Sequence, residues 1–365
     1  MNASLLQAAH AKLKEREPST KPIDPMAALM AYVVTDKQVQ DMEATEIIWP
    51  CTASQHLAAW IAPAGAGKSA IARHAAGDLA QRDYTVIYFQ EDASAGDLPA
   101  MHEHAKHYGY VLLNSTLSRS SPQAQIDTLN DLVASGSSMA RYVLIFDTLK
   151  KYCDLMSKGG SRAFFALLRS LTQRGATVIL LGHTNKHAGQ DGKPIFEGVG
   201  DVRNDTDELI YLDATEKDAR GIKTITLRPD KTRCAIEPAT FELDTNTMQV
   251  RPLDRVVDVQ QQLKSQRQLT EDADVVQAID EALRTSGMNR TELIDRAASM
   301  CGHGIKAVRK VLDRYCSEDR GNTSALWLTT YMRMNNTRYI SRNPGRLPPV
   351  PKVKASTVAE RAERA

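Results

Sequence analysis

From residue 47 to 251 the chain alternates between two rhythms. Short, nearly unbroken apolar runs take turns with stretches in which apolar residues recur at every third or fourth position. The runs 56–61, 85–90, 141–146 and 176–181 predict strands. Their lack of polar alternation predicts burial on both faces, as in a parallel sheet covered by helices. Between them, 70–80, 124–133 and 161–174 predict helices, the last carrying Phe164, Phe165, Leu167, Leu168 and Leu171 on one side. Segments 209–212 and 222–227 add strands, and 241–243 with 248–250 predict a terminal hairpin. The expected class is α/β.

The flanks differ in pattern. Residues 1–45 predict a helical arm: Leu5, Leu6, Ala9 and Leu13 fall at helical spacing. Pro18, Pro22 and Pro25 then interrupt before a second helix at 27–33. Its apolar stripe is expected to pack on its own domain, with a neighbouring subunit as the alternative. Residues 252–272 mix Gln260, Gln261, Gln262, Gln266 and Gln268 with charges, which predicts a solvated linker or a short exposed helix. Residues 273–340 predict a second unit of three short helices, 275–283, 289–298 and 305–315. A strand pair, 325–330 and 338–340, follows, with Asn335 and Asn336 at its turn. Three helices and a β-wing predict a winged-helix-like domain. Residues 341–365, with Pro344, Pro348, Pro349, Pro351 and several cations, predict a disordered basic tail.

The most specific chemistry lies at 62–69, Ala-Pro-Ala-Gly-Ala-Gly-Lys-Ser, between a predicted strand and a predicted helix. That context marks a phosphate-binding loop. Small residues let the N–H groups of Ala64, Gly65, Ala66, Gly67, Lys68, Ser69 and Ala70 converge on an anion. The helix N-terminus adds its dipole and Lys68 a full charge. Ser69 is placed to hold Mg²⁺ through its hydroxyl. Ala62 stands where the usual pattern has Gly, and Pro63 fixes φ beside it. Asp147 ends the most apolar strand, where a carboxylate suits a position behind the Mg²⁺. ATP and Mg²⁺ are the cofactors expected.

Composition narrows the setting. A net charge of +2 over 365 residues excludes a general polycation, so any nucleic-acid surface must be local. Such a cluster occurs at Lys306, Arg309, Lys310 and Arg314. Of these, 306, 310 and 314 recur every fourth residue opposite Ile305, Val308, Val311 and Leu312. A recognition helix needs such a stripe for phosphate and base-edge contacts; a solvated helix face also carries one. The five cysteines are scattered without a CxxC pair, which predicts reduced thiols and a cytoplasmic protein without a zinc site. No long uncharged apolar run predicts a membrane span, and the polar N-terminus does not read as a signal peptide.

Beyond these residues the core resembles the RecA-type ATPases, among them the RepA-like and DnaB-like ring helicases. The resemblance rests on the phosphate loop, Phe-Gln-Glu-Asp at 89–92, Asp147 followed by Thr148, Leu-Gly-His-Thr-Asn-Lys at 181–186, and Lys-Thr-Arg at 231–233. It implies that Glu91, at the end of the strand after the phosphate-loop helix, is the general base, with Asp92 the near competitor. It implies that His183 senses the γ-phosphate. The segment 186–204, with Lys186, Lys193 and Arg203, would be a long loop gripping nucleic acid in a central channel. Lys231 and Arg233 would reach a neighbouring subunit's nucleotide, Arg233 as a finger in trans.

Together these readings predict an ATP-driven, ring-forming, hexameric helicase or replication ATPase. It would bind single-stranded DNA and work beside a replication initiator or a primase. Two alternatives stay open: a RecA-like regulatory or recombination ATPase that does not unwind, and a winged-helix regulator with a nucleotide switch.

Overall fold

The computed structural model describes residues 24, 26, 29–36, 39, 44–153, 158–188, 194–196, 201–322, 324–332 and 337–344. The strands are β1 (Ile47–Trp49), β2 (Thr52–Ala53), β3 (Leu57–Ala62), β4 (Thr85–Gln90), β5 (Val111–Leu113), β6 (Tyr142–Asp147), β7 (Thr177–Ala188), β8 (Pro194–Phe196), β9 (Glu208–Ala214), β10 (Ile222–Lys231), β11 (Ala239–Asp244), β12 (Val250–Leu253), β13 (Met288–Asn289), β14 (Cys316–Ser317), β15 (Trp327–Met332) and β16 (Thr337–Arg342). The helices are α1 (Lys68–Ala80), α2 (Leu98–Tyr108), α3 (Pro122–Ala134), α4 (Lys158–Gln173), α5 (Asp201–Asp205), α6 (Val259–Glu271), α7 (Ala273–Ala282), α8 (Arg290–Cys301) and α9 (Ile305–Tyr315).

The large sheet has the strand order β12-β11-β10-β9-β3-β7-β6-β4-β5, with β8 paired to β7. Two strands thus separate β3 from β4, the next large-sheet strand in the chain, so the chain crosses over rather than pairing neighbours. This is a mixed α/β architecture, in which one large sheet combines parallel and antiparallel pairings. By contacts the chain divides into one unit of Met1–Ala59, Ala75–Leu181 and Gly198–Glu208 and a second of Trp60–His74, Gly182–Glu197 and Leu209–Ala365.

In the first unit β5, β4, β6 and β7 run parallel, with Gln90, Asp147 and Leu181 aligned across their ends. Val143, Leu144, Ile145 and Phe146 are fully buried, as an apolar run without alternation requires. The rings of Phe89 and Phe146 stack at 4.5 Å, and Tyr152 closes on Phe146 edge-on. Two elements here escape the hydrophobic pattern. Helix α2 buries only Leu98, Met101 and Ala105, too thin a stripe to stand out, although Pro99 in its first turn is a common helix start. Strand β5 has just three residues.

In the second unit β9, β10, β11 and β12 form an antiparallel meander, with Leu212, Leu227 and Ala239 in register. The sheet is therefore not parallel throughout. The expected long loop at 186–204 is corrected in part. Strand β7 continues to Ala188, β8 folds back on it with Phe196 opposite Thr184, and α5 follows.

Residues 259–271 are a helix, the second of the two forms open for that segment. Further along the same unit, α7, α8 and α9 pack Ile279, Leu293, Ala297, Val308 and Leu312 around Trp327 and Ile340. The small sheet runs β13-β16-β15-β14. Asn289 caps α8, its side chain accepting from the Thr291 N–H at 2.8 Å, and Gly302 ends it in the left-handed conformation. Asn335 and Asn336, like the tail from 345 onward, lie outside the described residues.

The arm does not follow expectation. Among its described residues Leu29, Met30, Tyr32, Val33 and Val34 are all exposed, Tyr32 at 82%. Packing of this stripe on its own chain is thus not seen. Leu5, Leu6, Ala9 and Leu13 lie outside the described residues.

Candidate functional site

A strand that delivers its last residue into a tight loop needs small residues and left-handed backbone at the turn. Here Gly65 has φ +73° and Gly67 φ +95°, values that favour glycine. A Cβ on Gly67 would also approach Ile225 Cδ1 to 2.6 Å and Leu243 Cδ2 to 2.8 Å, so the loop rests closely on β10 and β11. Ala62 is the buried last residue of β3, and its φ is not positive. Alanine therefore serves where glycine was expected. The Gly67 carbonyl accepts the Ala70 and Ile71 N–H groups and so opens α1.

The loop borders a cavity of about 300 Å³. Gly65, Ala66, Gly67, Lys68, Ser69 and Ala70 line it on one side, His183, Lys223, Thr245 and Met248 on the other. Ala64 stands exposed on the loop. Lys68 is only 5% exposed although it carries a full charge. A nearly buried ammonium, a hydroxyl and a helix N-terminus around one cavity form a donor set for a polyphosphate and its divalent cation. His183, expected just past a strand, lies inside β7 because that strand runs on.

The acids of the first unit are held by named donors. Asp147 is buried, and its Oδ2 accepts from the Tyr88 hydroxyl at 2.8 Å and Gln90 Nε2 at 3.1 Å. Glu91 sits beside it, its N–H donating to the Asp147 carbonyl at 2.8 Å. Glu91 Oε1 accepts from the Ser115 N–H at 2.7 Å and from Gln125 Nε2 at 3.2 Å, while Oε2 accepts from Ser115 Oγ at 2.6 Å. Gln125 is fixed in turn by the Tyr152 hydroxyl, which donates to its Oε1 at 3.1 Å. Burial pushes the Tyr152 phenol well above its ordinary range, and the charges of Glu91 and Asp147 add to the rise. Asp92 is exposed, with Lys151 Nζ at 3.9 Å. The two adjacent acids thus differ: Glu91 is half-buried and fixed by three donors, and Asp92 faces solvent.

The remaining expected residues are more dispersed. Lys231 is the last residue of β10, opposite Leu209, and Arg233 is exposed just beyond it. The backbone of Lys186 lies in β7, Arg203 is exposed on α5, and Lys193 lies outside the described residues. On α9, Lys306, Arg309 and Lys310 are exposed. Arg314 is tied instead into an ion pair with Asp272, which raises its pKa, and its guanidinium lies 5.9 Å from the Tyr315 ring centre.

Sequence reasoning passed over Lys223, Thr245 and Met248 in the cavity, and Ser115, Gln125 and Tyr88 around the acids. A lone lysine in an alternating strand reads as its solvent face, and single Ser, Gln or Tyr residues carry no spacing signal. Only the fold brings them together.

No family model matches the chain, and no curated protein does. Among solved structures it is similar to the flagellar accessory protein FlaH from Methanocaldococcus jannaschii. The identity is 12%, over 55% of this chain and 91% of that one, with a TM-score of 0.39. No helix among the described residues is long and apolar enough to cross a membrane.

Proposed function

We propose that this chain is a Mg²⁺-dependent ATPase that acts on single-stranded DNA as a ring of identical subunits, a helicase or replication ATPase. The observation that carries the reading is the cavity at 65–70, where Lys68 and Ser69 meet a helix N-terminus. When bound, Mg-ATP supplies the phosphoryl group and a cation that neutralises its charge. Lys68 would hold the phosphates. The Ser69 hydroxyl and the Asp147 carboxylate would hold the metal; Tyr88 and Gln90 keep Asp147 in place.

Glu91 orients the attacking water and takes its proton on a carboxylate oxygen. A carboxylate offers about four acceptor positions; Ser115 and Gln125 fill three, which leaves one for water. These two act as positioning residues, fixing where that acceptor points. His183, on the cavity wall, reports the γ-phosphate to the β7–β8 hairpin. Lys231 and Arg233 complete a neighbour's site, which makes hydrolysis depend on assembly. Residues 273–340 serve as a winged-helix-like DNA-binding domain, with Lys306, Arg309 and Lys310 on phosphates.

The test is ATP turnover and strand displacement measured side by side. The reading expects turnover stimulated by single-stranded DNA together with displacement of a paired strand in one polarity. Stimulated turnover without displacement in either polarity would remove unwinding and leave a DNA-dependent regulatory ATPase.

A further inference from the structure

The phosphate-loop cavity holds a second lysine that the loop motif does not include. Lys223 projects from β10, in register with Leu243, and lines the same cavity as Gly65, Lys68 and Ser69. Its Nζ donates to the Gly65 carbonyl at 2.8 Å. Among the described residues no carboxylate pairs with it. Its hydrogen-bond partner is a neutral carbonyl, so no counter-charge offsets the ammonium where the side chain lines a cavity suited to an anion. An ammonium has three N–H donors. One is on Gly65, so two remain for a ligand, and the loop need not be released when they are used.

The geometry points to Lys223 as a second phosphate-binding cation, supplied by the same chain that supplies the loop. It would donate to the phosphate chain of the bound nucleotide while pinning Gly65 in its left-handed turn. This inference rests on the proposed nucleotide site and adds to it a residue from a strand far along the chain. It also assigns the two basic positions of β10 different work. Lys223, near the start of the strand, serves the chain's own nucleotide. Lys231, at its end, is assigned to a neighbour's. A lysine suits the position at 223 better than an arginine would, because a compact point charge can share its donors between a carbonyl and a phosphate.

Equilibrium binding of ADP and ATP to the full-length protein tests this, with wild type, Lys223→Met, Lys223→Arg and Lys68→Ala compared at two salt concentrations. Loss of one charge-assisted contact predicts roughly ten-fold weaker binding of both nucleotides to Lys223→Met. The salt dependence should be shallower than in wild type, and Lys223→Arg should recover most of the affinity. A lysine that only tethers Gly65 would change affinity without changing the salt dependence, and that result overturns the proposal. So does wild-type affinity in Lys223→Met while Lys68→Ala has lost binding. If Lys68→Ala also binds normally, the nucleotide site itself is misassigned and the proposal falls with it. Circular dichroism and thermal melting of Lys223→Met establish that a folded protein is being compared; if it is unfolded, Lys223→Gln takes its place in the same assay.

Discussion

At the residue scale, the clearest contrast lies between two adjacent acids. Glu91 is braced by Ser115 and Gln125, whereas Asp92 faces solvent near Lys151. A general base must have its lone pair aimed before the reaction, and bracing does that. Glu91→Gln should therefore bind ATP as wild type does and lose about 10²-fold or more in turnover. Asp92→Asn should keep most of its turnover; the opposite result in single-turnover ATP hydrolysis would exchange their roles. Ser115→Ala removes the hydroxyl donor to Oε2 and keeps the backbone donor to Oε1. It should lower kcat several-fold with little change in KM for ATP, because the base is misaimed and the nucleotide is not touched. The tight turn at 65–67 and the helix after it were legible from their own residues, since small residues before Lys-Ser act locally. The bracing residues were not, because Ser115 and Gln125 join Glu91 only through the crossover order of the strands.

At the element scale, strands with an unbroken apolar run, such as β6 up to Phe146, were legible because burial on both faces leaves no polar position within the run. The β7–β8 hairpin was not, because its continuation past His183 runs through polar residues whose strand state depends on pairing. The C-terminal helices depend on a tie that sequence also hides. Arg314 and the Tyr315 hydroxyl both engage Asp272, which lies between α6 and α7. Arg314 so held would contribute less to the proposed phosphate-binding stripe than Lys306 and Lys310. Lys306→Glu with Lys310→Glu should weaken DNA binding and flatten its salt dependence, while Arg314→Ala should mainly lower thermal stability. Fluorescence anisotropy across a salt series, with melting curves beside it, separates the two effects.

Burial, followed by the hydrogen bond to Asp272, pushes the Tyr315 phenol from 10.0 up to about 12. The raised value favours the protonated phenol in the folded state. Its stabilisation is therefore complete below pH 10 and is lost as pH rises through about 12. Tyr315→Phe should be less stable than wild type at neutral pH, and the difference should shrink across that window. A constant difference in melting temperature up to about pH 12 would show that the tie does not depend on the phenol proton.

At the scale of the whole molecule, the proposed function makes each nucleotide site the joint work of two copies. Arg233→Ala should bind ATP and fail to turn it over. Mixed with Glu91→Gln, it should regain part of the activity, because some sites then pair an intact base with an intact finger. Mixtures that co-assemble, as shown by light scattering, yet stay inactive would return Arg233 to the surface of its own subunit. The exposed apolar residues of the arm, Leu29, Met30, Tyr32, Val33 and Val34, belong to the same question of assembly, since nothing among the described residues covers them. The central claim, hydrolysis of ATP at the cavity around Lys68, is tested most directly by Mg²⁺-dependent ATP turnover with and without single-stranded DNA. Wild type should turn over ATP faster when DNA is present and Lys68→Ala should show neither activity; equal turnover by the two proteins would contradict the account.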